Sequence, residues 1–190
     1  MTKFNIQYDD LKYIFNALKP AVAKVDCKPV YQYIKFECKD GSLTAAALDG
    51  YRLHCVTVSV TVEEKKDFAF LLKPFTLPKS ESSFVPCELT EKEILFNFGE
   101  RKFIERLGTD IDCFLDVNKV VPSISSVFKI GFQPQYLAEA ARSLQTKGFL
   151  KDTLVMEFYG PLEPAKLYNW RNKSDFRVIL PVQMKEETNA

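Results

Sequence analysis

A repeated pattern constrains the fold of this chain more than any other feature of its sequence. Residues 4–8 read Phe-Asn-Ile-Gln-Tyr, so that apolar and polar side chains alternate, and a helical pattern follows at once. Residues 128–132 read Phe-Lys-Ile-Gly-Phe and are followed by a second helical pattern. Alternation at every second residue indicates a strand with one buried face, and apolar spacing of three or four indicates an amphipathic helix. The recurrence predicts a fold built from copies of one module.

Two helices are predicted from apolar stripes. The first begins at Asp9 and weakens at Pro20, and the second begins at residues 133–135 and ends at Gly148. The stripe of the first consists of Leu11, Ile14, Phe15 and Leu18, and that of the second of Leu137, Ala140, Ala141 and Leu144.

The remaining segments are predicted to be strands joined by polar turns, including Asp40-Gly41 and Asp49-Gly50. A helix expected after residue 72 is broken by Pro74, Pro78 and the polar residues 80–83. The predicted strands are 4–8, 30–37, 43–48, 54–62, 68–72, 85–89, 94–98, 102–107, 128–132, 154–159, 165–170 and 176–181. The pattern is three copies of a strand, a helix and three strands, with the middle helix lost. This indicates an α+β fold of antiparallel sheets.

Composition narrows the possible functions. The chain has 190 residues, of which 46% are hydrophobic and 13% aromatic, which is enough for a globular core. No apolar run is long enough for a membrane span, so we expect a cytoplasmic protein without membrane contact. A net charge of +1 gives no global attraction to nucleic acid. The five cysteines form no C-x-x-C pair, which argues against a disulfide framework or a zinc site.

Catalytic chemistry has little support in this sequence. His54 is the only histidine, so multi-histidine metal sites are excluded, and we interpret it as a structural or surface residue. Asp110, Asp112 and Asp116 lack the glycine and the terminal glutamate of a calcium loop. No Gly-rich phosphate loop or nucleophile elbow is present. We therefore predict no catalytic residue, no metal and no cofactor.

Two short motifs carry the functional signal. Residues 47–53 read Ala-Leu-Asp-Gly-Tyr-Arg-Leu, and residues 178–184 read Val-Ile-Leu-Pro-Val-Gln-Met. Taken alone, Asp49-Gly50 is an ordinary hairpin turn, and residues 178–184 form an ordinary core strand. Together, and with Gly-Pro-Leu-Glu-Pro at 160–164, they resemble the bacterial sliding clamp, the beta subunit of DNA polymerase III. Leu48 and Tyr51 stand where that family usually has Thr and His.

The resemblance implies the DNA-clamp fold, in which repeated strand-helix-three-strand units form antiparallel sheets with helices on one face. Residues 1–122 resemble the middle domain of the beta subunit, and residues 127–184 resemble the second half of its third domain. A clamp ring has twelve such units, so a three-unit chain would need four copies, which predicts a homo-oligomer. The implied function is a non-catalytic DNA replication processivity factor.

The resemblance also implies binding sites. In the family, an apolar groove receives short peptides from polymerases, the clamp loader and repair proteins. Here that groove would comprise Tyr31, Leu48, Gly50, Tyr51, Arg52, Leu53, Leu115, Val120, Leu162, Val178, Leu180, Pro181, Val182 and Met184. Non-specific contacts to double-stranded DNA would come from Lys12, Lys19, Lys24, Lys28, Arg142, Lys147 and Lys151, each of which also fits a solvated surface charge. The alternative is a reduced clamp-like module that binds clamp-binding peptides without encircling DNA.

Overall fold

A computed structural model describes residues 1–24, 28–64, 66–146 and 152–183 of the chain. The chain divides into two compact units, residues 1–121 and residues 122–190. Met184 of the predicted groove lies outside the described residues, as does Gly148, where the second helix was predicted to end. That helix ends earlier, at Ser143.

The first unit contains helix α1 (Tyr8–Leu18), short 3₁₀ turns and a series of strands. The strands are β1 (Thr2–Gln7), β2 (Ile34–Lys39), β3 (Ser42–Leu48), β4 (Leu53–Ser59), β5 (Thr61–Val62), β6 (Phe68–Leu72), β7 (Phe84–Leu89), β8 (Glu93–Asn97) and β9 (Lys102–Arg106). The 3₁₀ turns are Lys19–Ala21, Pro29–Gln32, Ile111–Cys113 and Val117–Lys119.

Helix α1 forms where the apolar stripe predicts it. Its buried side chains are the four stripe residues Leu11, Ile14, Phe15 and Leu18. Asp9 and Asp10 occupy the first turn, where negative charge is favourable to the helix dipole. The helix passes into the Lys19–Ala21 turn at Pro20, which cannot continue an α-helical hydrogen-bond ladder.

The strands of the first unit form two antiparallel sheets. One sheet has the order β5-β1-β7-β8-β9, and the other has the order β4-β3-β2-β6. The first strand of each repeat therefore lies in the sheet of the other repeat, because β1 pairs with β7 and β6 pairs with β2. This exchange joins the two repeats into a single body.

Two apolar clusters hold the first unit together. The larger cluster contains inward residues of both sheets and of α1, including Phe4, Ile14, Phe36 and Phe96. The smaller cluster lies on the opposite face of the four-stranded sheet, because alternate residues of a strand point to opposite faces. It consists of Val30, Ala46, Leu48, Leu71 and Phe114, with Tyr31, Tyr33, Leu53, Ile111 and Val117 packed against it.

The predicted loss of the middle helix is confirmed, since residues 73–83 contain no helix. This coil is nevertheless packed. The ring of Phe75 lies 5.0 Å from that of Phe15 and 5.6 Å from that of Phe96, measured between centroids. The hydroxyl of Tyr8 donates a hydrogen bond to the carbonyl of Pro78 at 2.9 Å. A packed coil with an apolar side chain in the core thus lies between β6 and β7, where the other repeats have a helix.

The second unit is a single repeat. It contains helix α2 (Pro134–Ser143) and strands β10 (Leu154–Glu157), β11 (Ala165–Asn169) and β12 (Asn172–Ile179), which form an antiparallel sheet in that order. Its buried apolar residues are Leu144, Ala165, Leu167 and Ile179, with Phe132, Leu137, Ala140 and Met156 packed against them.

Two predicted strands are wrong in whole or in part. Residues 30–37 form a strand only from Ile34, because Pro29 starts a 3₁₀ turn that extends to Gln32. Residues 128–132 form no regular strand, and within the described ranges Gly131 makes one isolated antiparallel bridge, to Val182. A strand requires a continuous ladder of backbone hydrogen bonds, and the described residues give this segment one pairing point.

No helix in the described ranges is both long enough and apolar enough to cross a membrane.

Candidate functional site

The turn between β3 and β4 is the first part of the predicted peptide site. Leu48 and Leu53 face each other across the hairpin, and Gly50 has a φ of +89°, a conformation that glycine adopts without strain. Asp49 organises the turn from within. Its Oδ1 accepts hydrogen bonds from the backbone N–H groups of Tyr51 at 3.1 Å and Arg52 at 3.2 Å. The turn is therefore held by a side chain as well as by its backbone.

Asp49 also pairs with the Arg52 guanidinium. Nε of Arg52 donates to Oδ2 of Asp49 at 2.9 Å. Burial would by itself raise the pKa of Asp49, but the hydrogen bonds from Tyr51 and Arg52 together hold the pKa of this carboxyl below its ordinary value. The carboxylate is thus ionised at neutral pH, and it fixes the direction of the Arg52 side chain.

The smaller apolar cluster lies directly below this turn. Leu48 belongs to its buried part, and Tyr31 and Leu53 are partly buried against it. The rings of Tyr31 and Phe114 meet edge to face, with centroids 5.8 Å apart. The segment after Phe114 remains open to solvent, because Leu115 and Val120 are 39% and 42% exposed. This arrangement leaves apolar side chains accessible at the margin of a rigid cluster.

The structure thus brings several predicted residues of the first unit into one region. Tyr31, Leu48 and Leu53 share a cluster, whereas the side chain of Tyr51 is 99% exposed and points away from it. Sequence reasoning missed Val30, Tyr33 and Phe114, which complete the same cluster. Val30 and Tyr33 were hidden by the misassigned strand at 30–37.

The second unit has a pocket of about 550 Å³ between α2 and β12. Four predicted residues lie in its wall, namely Val178, Leu180, Pro181 and Val182. Tyr136, Ala140 and Arg177 line it as well and were not predicted as site residues; Tyr136 and Ala140 come from helix α2 and Arg177 from β12. Leu162 lies in an exposed turn and is not part of the lining, and Met184 is outside the described residues.

Arg177 fixes one side of this pocket. Its Nε donates to Oγ of Ser143 at 3.0 Å, and its Nη1 donates to Oδ1 of Asp175 at 2.6 Å. Oγ of Ser143 in turn donates to the carbonyl of Ala140. These contacts tie the last turn of α2 to β12. The pocket is therefore lined by apolar side chains together with Arg177, which is held in place, and Glu139.

The predicted DNA contacts occupy different surroundings. Lys12 and Lys19 are exposed on or beside α1, and Lys24 is exposed in the segment that follows. Lys28 belongs elsewhere, because its Nζ lies 6.0 Å from the centroid of the Tyr31 ring, next to the smaller cluster. Arg142 is exposed in the last turn of α2. The structure does not describe Lys147 and Lys151.

Residues with catalytic potential have structural contacts. Nδ1 of His54 lies 2.7 Å from the carbonyl oxygen of Ala17, which links β4 to the end of α1. Oδ1 of Asp116 accepts a hydrogen bond from the backbone N–H of Asn118, as a cap of the following 3₁₀ turn. Among the residues that the structure describes, no three His, Cys, Asp or Glu side chains cluster as a metal site would require.

Known structures share this fold. The chain matches the DNA polymerase sliding clamp from Pseudomonas aeruginosa with a TM-score of 0.78 and 18% identity, over 95% of this chain and 51% of that one. For the sliding clamp from Bacillus subtilis the TM-score is 0.76 at 16% identity, over 95% and 49% of the two chains. For a DNA polymerase III beta subunit from Eubacterium rectale ATCC 33656 it is 0.74 at 15% identity, over 94% and 50%.

The chain therefore has the fold of the bacterial sliding clamps and spans about half the length of these structures. No protein-family model matches the chain, and no curated protein matches its sequence.

Proposed function

We propose that this chain is a non-catalytic sliding-clamp homologue that binds short peptides of replication or repair proteins. The observation that carries the proposal is the rigid apolar cluster beneath the Asp49–Arg52 turn, with Leu115 and Val120 accessible at its margin. A preformed apolar surface with few polar groups is well suited to apolar peptide anchors, because little ordering entropy is lost on binding.

The pocket of the second unit supports the same proposal. Val178, Leu180 and Val182 offer apolar contacts, and the Arg177 guanidinium, ion-paired with Asp175, offers a fixed polar group. An extended peptide could place apolar side chains in such a pocket while its polar backbone stays at the rim. Leu48 is buried in the cluster and Tyr51 is fully exposed, so the accessible apolar contacts of the first unit come from Leu115 and Val120.

A direct binding experiment tests the proposal. The probe is a fluorescein-labelled peptide with leucine and phenylalanine anchors, titrated with the full chain by fluorescence anisotropy. Leu180 is 71% exposed, so Leu180→Asp should leave the fold intact while removing an apolar contact. We expect affinity to fall about tenfold or more, equivalent to about 1.4 kcal/mol. Arg52→Glu should weaken binding as well, because it places a second carboxylate beside Asp49.

The matched control is Ile124→Asp, which makes a similar change at an exposed apolar residue outside both surfaces. It should bind like the original chain. Equal affinity of the original chain, Leu180→Asp and Arg52→Glu would contradict the proposed site.

We also propose that copies of this chain form a ring that encircles DNA. In a ring-shaped clamp, weak contacts to phosphates are enough to stay on DNA, because a closed ring cannot dissociate sideways. Lys12 on the exposed side of α1 and Lys19 in the turn that follows it would supply such contacts here. The ring would need four copies of the 21.8 kDa chain. Retention on nicked circular DNA, with release after linearisation, would support the ring.

A second candidate is a peptide-binding module that does not encircle DNA. The absence of a helix in residues 73–83 favours it, because sliding clamps line their DNA hole with helices. Lys28 also lies beside Tyr31, near the proposed peptide surface. It therefore does not join the lysines of α1 that would contact DNA. This candidate predicts peptide binding without retention on circular DNA.

A further inference from the structure

The two repeats of the first unit complete each other. β1 begins one repeat and pairs along its whole length with β7 of the other, with Phe4 opposite Cys87. β6 begins the second repeat and pairs in the same antiparallel sense with β2 of the first. In each repeat, the first of the three later strands, β2 or β7, thus pairs with the opening strand of the other repeat. This reciprocal exchange is the rule by which the fold closes its sheets.

The opening segment of each repeat has a second contact, within its own repeat. β1 pairs with β5, and Leu72 at the end of β6 bridges to Leu107. In the second unit, Gly131 bridges to Val182 in the same way. Residues 127–132 therefore occupy the position of an opening strand, with one of its two edges in contact.

The second unit lacks the exchange partner. Strand β10 corresponds to β2 and β7 in the first unit. Among the described residues, no strand pairs with its free edge. The exposure of two phenylalanines agrees with this open edge. Phe4 is 2% exposed in β1, whereas Phe128 at the matching position is 44% exposed, as is Phe158 just after β10. In the described part of this unit, an acceptor edge without a partner and a donor segment with one open edge therefore occur together.

The backbone groups at both places point towards a partner. The N–H of Trp170 donates to the carbonyl of Thr153, so Thr153 and Val155 direct their backbone groups to β11. Because these directions alternate along a strand, Leu154 and Met156 direct theirs to the open edge. The N–H of Val182 donates to the carbonyl of Gly131, which leaves Ile130 directed to the other side.

We propose that a second copy of this chain completes the second unit, with residues 127–132 of each copy paired antiparallel to β10 of the other. The contact is self-complementary, as a two-fold symmetric dimer requires. One register places Lys129 opposite Glu157 and Ile130 opposite Met156. It brings opposite charges together on the outer face, and it sets Phe128 against Phe158 on the inner face, where each ring covers the other.

This inference goes beyond the proposed peptide site and does not depend on it. An open strand edge is a general template for pairing with another chain. The occupant is a copy of this chain because both halves of the missing interaction are present in it. A strand from another protein would leave residues 127–132 without a role.

Sedimentation equilibrium of the full chain tests the proposal. The original chain should form a dimer of about twice the 21.8 kDa chain mass, or a tetramer made of two such dimers. Phe128→Asp places a charge in the buried face of the contact and should raise the dissociation constant about a hundredfold. Ile124→Asp is the matched control, because its side chain is 82% exposed and it lies outside residues 127–132 and outside β10. It should assemble normally.

Charge reversal then locates the contact on β10. Lys129→Glu and Glu157→Lys should each weaken assembly about tenfold, because the like-charge pair occurs twice in a symmetric dimer. The double variant should recover assembly. A chain that stays monomeric at every concentration would overturn the proposal. An assembly indifferent to Phe128→Asp and to the charge reversals would overturn it equally, since pairing would then lie elsewhere.

Discussion

At the scale of single residues, Asp49 links local structure to the proposed binding surface. One carboxylate accepts two backbone N–H groups and the Arg52 guanidinium, so it fixes both the turn and a charged side chain. Arg52 is about half exposed, so solvent screens much of the ion pair. The hydrogen bonds to the backbone therefore account for most of what Asp49 contributes.

Asp49→Asn should lower the free energy of unfolding by about 0.5 kcal/mol at pH 7, because the charge is lost while one acceptor oxygen remains. The pKa of Asp49 is lowered in the folded chain, so its contribution is present above the unfolded pKa of about 4 and is lost as the pH falls through the folded value. The difference between the two chains should therefore shrink as the pH falls through the folded pKa. Urea unfolding over a series of acidic pH values measures it.

Glu100→Gln provides the comparison, since Glu100 is exposed in a loop away from this turn. It should change stability by less. A difference for Asp49→Asn that does not change as the pH is lowered would contradict the assignment to the carboxylate charge.

At the scale of elements, the coil at residues 73–83 performs the packing that a helix performs in the first repeat. Phe75 contacts the rings of Phe15, Phe96 and Phe103. These residues come from α1 and from two strands, so one side chain joins three elements. The coil is therefore part of the core, although it lacks regular structure.

Phe75→Ala should destabilise the protein by about 2 to 3 kcal/mol, at or below the low end of the range for fully buried phenylalanines, because the ring is only partly buried. Thermal unfolding followed by circular dichroism measures the change. Phe84→Ala removes a ring that is half exposed and should cost much less. Equal losses in the two variants would show that the coil does not plug the core.

Sequence patterns predicted the elements that depend on their own side chains. The stripe Leu11, Ile14, Phe15 and Leu18 was enough for α1, and β6 has the predicted bounds. Residues 30–37 were misassigned because Tyr31 and Tyr33 alternate as in a strand, while Pro29 favours the 3₁₀ turn that forms. The strand expected at 128–132 depends on a pairing partner, which periodicity alone cannot supply.

At the scale of the whole molecule, the first unit contains both members of its strand exchange. Every strand of its two sheets comes from residues 1–121. A fragment of residues 1–121 should therefore fold alone and unfold cooperatively in urea. A fragment of residues 122–190 has a small core of its own, and at low concentration it should show little cooperative unfolding. A disordered 1–121 fragment would refute this division.

The candidate site illustrates what sequence alone reaches at this scale. The motif at residues 47–53 pointed to the turn, because glycine and aspartate there have local roles. Phe114 was missed as a cluster member, since only the folded sheet brings it to Tyr31. The pocket residues Tyr136 and Ala140 were missed for the same reason, as they come from a helix and the motif from a strand.

The pairing of β1 with β7 has a consequence for synthesis on the ribosome. Residue Phe4 finds its partner Cys87 only after most of the first unit has been translated. Until then β1 can pair with β5, but its other edge is open to any nascent strand nearby. Such distant contacts slow folding and prolong exposure of apolar segments. The yield of this protein in a cell should therefore depend on chaperones that shield its N-terminal strand until translation passes β7.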